Sequence, residues 1–163
     1  MIETPATRVL IVPASAPHAN VISALHGLCF DDPWSPFTVR QVLGMPGAFG
    51  LLAVPEGYTV PETDLAGFVL VRLAAGECEV LSLAVGQAWR GLGVGRALLD
   101  AAIDRARAAG ATMMFLEVAE DNPAAQGLYQ KLGFSAVGRR DDYYKRRHGP
   151  AVAALTYSLT LVP

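Results

Sequence analysis

Residues 79–99 read EVLSLAVGQAWRGLGVGRALL, and the succession of residue types in that stretch sets the reading of everything around it. Glu79 to Val85 is a branched, apolar run with the length of a strand. It leads to Gly91, Gly93 and Gly95, flanked by Arg90 and Arg96. From Arg96 to Ala109 the charged residues Arg96, Asp100, Asp104 and Arg107 recur three or four apart, while Leu99, Ile103 and Ala106 hold the opposite side. That spacing predicts an amphipathic helix, closed by Gly110. A helix start leaves backbone N–H groups unpaired at the positive end of the helix dipole, and glycine removes the side chains that would keep an anion away. Gly91, Leu92, Gly93, Val94, Gly95 and Arg96 can therefore wrap their amides around a phosphate, with Arg90 and Arg96 adding charge-assisted bonds. A plain glycine-rich turn before a helix is the alternative.

Two other phosphate loops fail on spelling. A Walker A loop needs Gly-Lys-Ser/Thr, whereas Gly95 is followed by Arg96-Ala97. A Rossmann fingerprint counted from Gly91 needs its third glycine where Arg96 stands, and Glu117, at a suitable distance for a ribose-binding acid, sits inside a strand rather than ending one.

Working outward, Arg8 to Val12 predicts a first strand. Ser15 and Pro17 open a helix to about Cys29, with Val21, Leu25 and Leu28 on one face. Asp31-Asp32-Pro33-Trp34 breaks it, and Ser35-Pro36 caps a short helix that ends at Gly44. Ala48–Val54 and Leu65–Leu73 read as antiparallel strands joined by the exposed connection PEGYTVPETD. Thr112–Val118 is a strand, Asn122-Pro123 caps a last helix ended by Gly133, and Ala151–Leu161 alternates as a final strand. Strand, helix and strand over 79–118 imply a parallel crossover. The fold class is α/β: a mixed, mostly antiparallel sheet with about four helices on its faces. No repeat or linker divides the chain, so residues 1–163 read as one domain.

The composition bounds the function. Apolar residues make up 52% of the 163 and charged residues 17%, which suits a globular core; the formal net charge of -2 supplies no field for a polyanion. Nucleic acid is not an expected partner, and no apolar run is long enough to span a bilayer. The RVLIVPASA opening has too short an apolar run and too little positive charge for a signal peptide. Cys29 and Cys78 lack metal-ligand spacing and read as small hydrophobes in a reducing, cytoplasmic setting. His18, His26 and His148 share no motif and default to solvated or cap positions; no metal is expected.

The strand, Arg-x-x-Gly-x-Gly, helix arrangement resembles the acetyl-coenzyme A site of the GNAT acetyltransferases. With FLEVAEDNPAAQGLYQKLGF at 115–134, CFDDPWSPFT at 29–38 and the Tyr143-Tyr144 pair, the likeness is closest to the RimI-type branch, which acetylates the N-terminal alanine of a ribosomal protein. The resemblance implies a GNAT fold, acetyl-coenzyme A as cosubstrate and Glu117, in its Leu-Glu-Val context, as the base. The residues agree: Glu117 lies in MMFLEV, apolar on both sides, where burial of an unpaired carboxylate would raise its pKa. A carboxylate at a strand end paired with an arginine is the plainer alternative. Tyr129, in LYQKLGF, matches the family's proton donor, and a buried phenol that merely finds a backbone partner is its alternative. Asn122 is an N-cap by sequence, and the family also sets it against the pantetheine arm. Backbone groups of Leu83, Ala84 and Val85 would hold that arm as an added strand does.

Trp34 and the loop from Arg139 to His148, with Tyr143 and Tyr144, resemble the two walls that grip the acceptor peptide. Asp31 and Asp32 either attract a cationic amine or are simply solvated in a turn. After Tyr144 the family's acidic segment is replaced by KRRHGPAVAAL, which adds Lys145, Arg146 and Arg147 and points to an acidic acceptor or an altered choice of polypeptide. The expected activity is acetyl transfer to a primary amine by direct attack in a ternary complex. A protein N-terminus, possibly ribosomal, leads a lysine side chain or small amine, and a non-catalytic acyl-coenzyme A module stands as the other class.

Overall fold

The computed structural model describes residues 9–57 and 65–162. One seven-stranded sheet runs through them. Its strands are β1 (Val9–Pro13), β2 (Ala48–Pro55), β3 (Gly67–Ala74), β4 (Glu77–Val85), β5 (Met113–Ala119), β6 (Ser135–Tyr144) and β7 (Val152–Thr160), in the spatial order β1-β2-β3-β4-β5-β7-β6. Every neighbouring pair is antiparallel except β4 and β5. The helices are α1 (Ala19–Cys29), α2 (Pro36–Leu43), α3 (Val94–Ala108) and α4 (Pro123–Lys131). This is the mixed sheet with a parallel crossover that the sequence predicts. Arg8 and most of the connection between β2 and β3 lie outside the described residues.

Two apolar layers cover the sheet. On one face α3 brings Val94, Leu98, Leu99, Ala102, Ile103 and Ala106 down onto Val69, Val71, Val80, Met114 and Leu116, and Tyr129 of α4 joins them. On the other face α1 and α2 bury Ala19, Ile22, Leu25 and Val39 against Leu52, Val54, Phe68, Leu70 and Ala84. The core stripe of α1 differs from the expected one, because Leu28 is 85% exposed while His26 is buried.

The register of β3 on β4 pairs Leu70 with Ser82 but Val71 with Val80, so Leu81 is the extra residue of a bulge. An inserted residue moves every later side chain to the opposite face. Before it, Cys78 and Val80 face α3; after it, Ala84 faces α1 while Leu83 and Val85 lie against the α3 layer. Beside the bulge, the Ser82 hydroxyl is buried without a hydrogen-bond partner among the described residues. β4 and β5 pair only from Glu77–Val80 to Met113–Leu116. Past that point the two strands part.

β6 was not evident as a strand. It is an edge strand exposed along nearly its whole length, so it has no apolar alternation to read. Three of its residues, Asp141 to Tyr143, bulge against Ala153 alone, and Asp142 takes φ 52°. The segment read as one wall loop from Arg139 to His148 is thus strand as far as Tyr144.

His26, expected in a solvated or cap position, is instead 3% exposed. Its ring stacks on Phe30 at 4.3 Å and Trp34 at 4.8 Å, and Nδ1 accepts the Trp34 N–H at 3.0 Å. Burial pushes its pKa down to about 4, with the Asp32 carboxylate opposing. The unfolded chain takes up the proton near 6.5. Stability is therefore full above that pH and declines as pH falls toward 4, by up to about 3 kcal/mol. Urea unfolding across this window should show a shallower slope for His26→Asn, which keeps an acceptor for the Trp34 amide without titrating.

Candidate active site

The site forms where β4 and β5 diverge. Leu83, Ala84 and Val85 lie beyond the last paired residue of β4, so their edge toward β5 has no strand neighbour. The glycine segment follows. Gly91 and Gly93 take φ 74° and 83°, and a Cβ on either would meet nothing within 4 Å. They are needed for backbone conformation rather than for space. Gly95 has the opposite reason: its Cβ would sit 3.2 Å from Leu128 and 3.5 Å from Val85, where α3, α4 and β4 meet. Gly93 is the N-cap of α3 and brings no side chain to its free amides. The N–H groups of Val94, Gly95 and Arg96 are thus left for a ligand, since the first bond of the helix runs from the Ala97 amide to Gly93 O.

The two arginines are differently engaged. Arg90 Nε donates to the Val85 carbonyl at 3.2 Å, and its Nη2 lies 3.8 Å from Cys29 Sγ. Arg96 Nε stands 3.8 Å from the Asp100 carboxylate. Asn122 Oδ1 accepts the Ala125 N–H at 3.2 Å, the capping bond read from sequence, which leaves its amide nitrogen for a second partner.

Glu117 and Tyr129 stand on opposite faces of the sheet. Along β5, Met114, Leu116 and Val118 point into the α3 layer, so Glu117 points the other way. It is not the unpaired buried carboxylate expected: its side chain is 18% exposed, and Oε1 lies 3.1 Å from Nε of Arg140, which β6 supplies from two strands away. Tyr129 is buried in the α3 layer beside Phe134 and Tyr157. Burial, reinforced by Tyr144, holds its hydroxyl well above the ordinary phenol range. Burial also raises Tyr144, to about 12, with the Glu117 carboxylate and then Tyr143 adding and Arg146 opposing. Tyr144 is thus electrostatically coupled to both Glu117 and Tyr129.

The residues that the sequence offers as walls for an acceptor are each held by neighbours. Trp34 is held by His26 and by Ser23, whose hydroxyl donates to the Trp34 carbonyl at 2.7 Å. Tyr143 and Tyr144 meet edge to face at 5.1 Å. Arg146 pairs with Asp121 at 2.6 Å, and Arg147 Nε donates to the Asp31 carbonyl at 3.3 Å. Asp31 and Asp32 are exposed. Arg139 binds Glu120 at 3.0 Å and also Asp141. Sequence reasoning missed the Arg140–Glu117, Arg139–Glu120, Arg146–Asp121 and Arg147–Asp31 contacts because their partners are distant in sequence, and no local spacing reports such a pairing.

Residues 20–134 match the acetyltransferase (GNAT) family. The chain belongs to the GNAT acetyltransferase family. The N-alpha-acetyltransferase RimI of Mycobacterium tuberculosis is 36% identical over 115 residues, 71% of this chain and 70% of that protein. The ribosomal protein bS18-alanine N-acetyltransferase of Escherichia coli K12 is 34% identical over 85 residues, 52% of this chain and 57% of that enzyme, so the alignment spans little more than half of it. The crystal structure of the ribosomal-protein-S18-alanine N-acetyltransferase from Escherichia coli superimposes with a TM-score of 0.83 at 25% identity, covering 94% of both chains. The protein is accordingly an N-acetyltransferase.

The two kinds of glycine in this acetyltransferase separate by substitution. Asparagine tolerates the left-handed region, so Gly93→Asn should stay within about 1 kcal/mol of the parent in urea unfolding. Gly95→Asn, which forces atoms against Leu128 and Val85, should lose about 2 kcal/mol or more.

Proposed function

We propose that this acetyltransferase moves the acetyl group of acetyl-coenzyme A to the N-terminal α-amino group of a protein, with a ribosomal protein as the leading acceptor. One observation carries the reading: Glu117 stands one residue past the last β4–β5 pair, on the face of β5 away from the α3 layer in which the Tyr129 phenol is buried. Two partners can then meet where these strands part, with a base on one side and an acid on the other. The names of the Mycobacterium tuberculosis and Escherichia coli relatives support an N-terminal acceptor. The same reading places the activity in one domain and in the cytoplasm.

The residues fit the cosubstrate. The amides of Val94, Gly95 and Arg96 with the open loop at Gly91 and Gly93 would hold its phosphates. The free edge of Leu83–Val85 and the spare amide of Asn122 would hold the pantetheine arm. Bound there, it supplies a thioester carbonyl for attack. An amine near neutral pH is largely ammonium and has no lone pair to give. Glu117 takes its proton. A backbone amide on the open edge of β4 steadies the carbonyl oxygen as negative charge develops. Tyr129, kept protonated by burial, gives its proton to the departing sulfur. Trp34, Tyr143 and Tyr144 line the approach of the acceptor.

Glu117→Gln should reduce kcat at least 10²-fold while leaving the coenzyme A dissociation constant within about threefold; full turnover at saturating acceptor would remove the base assignment. Tyr129→Phe should slow single-turnover acetyl transfer by about 10²-fold. Thiol release measured against Ala-, Ser- and Met-initiated peptides, an internal-lysine peptide and a polyamine tests the acceptor. Selective turnover of the Ala-initiated peptide supports the proposal, and turnover confined to lysine or polyamine overturns it.

A further inference from the structure

We infer that Arg140 is a displaceable placeholder on the catalytic carboxylate, a positioning residue that every acceptor amine must compete against. This rests on the assignment of Glu117 as the base. The contact is specific: Arg140 Nε to Glu117 Oε1 at 3.1 Å, between a carboxylate only 18% exposed and a guanidinium arm 62% exposed. The carboxylate belongs to β5, inside the sheet, and the arginine to the edge strand β6. One partner is therefore fixed and the other can swing.

The arm also has somewhere to go. Its guanidinium carbon lies 5.4 Å from the centre of the Tyr143 ring, itself 47% exposed, so the charge can remain over that ring in water when the carboxylate is lost. The next two residues, Asp141 and Asp142, are exposed carboxylates on the same bulge. Release leaves the carboxylate to be met by the incoming cation, while the guanidinium, already 62% exposed, keeps most of its hydration.

The chemistry requires the release. An incoming ammonium needs Glu117 as proton acceptor, and a half-buried carboxylate already neutralised by a guanidinium attracts a second cation weakly. The ammonium takes the place of Arg140 and passes one proton to Glu117. The nitrogen lone pair forms the new C–N bond as the C–S bond breaks, and the sulfur leaves with the Tyr129 proton; the second proton that the nitrogen sheds as it becomes an amide restores the Tyr129 phenol by way of water, and Glu117 gives up its own proton to solvent. Arg140 makes no contact in that sequence; its effect falls on acceptor binding. Between turnovers it keeps the carboxylate paired.

Steady-state kinetics of Arg140→Ala and Arg140→Lys on the Ala-initiated peptide, with Glu117→Gln as control, test this. Removing the competitor should lower the acceptor KM of Arg140→Ala about five- to tenfold and leave kcat within about threefold; the lysine variant should restore most of the parental KM. Guanidinium chloride at low millimolar concentration should inhibit Arg140→Ala competitively with the acceptor and affect the parent much less. An unchanged or raised KM, or a tenfold fall in kcat, overturns the inference, since either makes Arg140 a structural or orienting partner. If Glu117→Gln also turns over normally, the base assignment itself falls; if only the Arg140 result fails, that assignment stands.

Discussion

The parting of β4 from β5 is the constraint on which the rest of this molecule depends. Two parallel strands paired along their whole length would leave no gap in the sheet, and the two faces would never communicate. Here the ladder stops at Val80 and Leu116, and the extra residue Leu81 bends β4 just beyond that point. The same bulge reverses the inward and outward alternation of β4, so Ala84 serves the α1 layer while Leu83 and Val85 serve the α3 layer. One inserted residue both opens the sheet and assigns its lining to two separate cores. The Ser82 hydroxyl, buried without a partner among the described residues, sits at the same place.

The same part of the sheet keeps the Tyr129 phenol and the Glu117 carboxylate apart. Glu117 and Tyr129 would interfere on a common surface, since a carboxylate beside a phenol holds the phenol's proton more tightly but also competes for the same ligand. Alternation along β5 sends Glu117 away from the α3 layer that buries Tyr129. Tyr144, raised by both burial and the Glu117 carboxylate, is the group through which the two sides are coupled. Each face then specialises: the α3 face, with an uncapped helix start and positive-φ glycines, suits an anionic ligand, and the other, with its carboxylates and aromatic walls, suits an amine.

Much of this was legible because it is written in local patterns. The period of residues 96–109, the Ser35-Pro36 and Asn122-Pro123 caps and the glycine spacing each specify their element without help from the rest of the chain. The parts that were not legible are pairings across the fold. EVLSLAV carries no glycine or proline to announce a bulge, so the kink at Leu81 becomes visible only against the register of β3. SAVGRRDDYY lacks alternation because both of its faces meet water, and so it reads as loop. Leu28 lies off the stripe of Ala19, Ile22, Leu25 and His26 that the helix buries, so it faces water although its type is apolar. His26 is polar by type and buried by circumstance, because its ring fills the space between Phe30, Trp34 and Phe68 while one nitrogen satisfies a backbone amide.

The basic run after Tyr144 shows the same division between composition and placement. Read as letters, Lys145-Arg146-Arg147 replaces an acidic segment with three cations and suggests attraction of an acidic acceptor. In space, Arg146 is held by Asp121 at the approach to α4, and Arg147 reaches the Asp31 carbonyl in the turn between α1 and α2. These two arginines act as struts, joining the segment between β6 and β7 to the start of α4 and to the turn between α1 and α2. Arg139 does similar work on Glu120. A charge already matched by a nearby carboxylate contributes little long-range field. Arg146 therefore shapes this region more than it charges it, whereas Arg147, bound to a backbone carbonyl, keeps its charge.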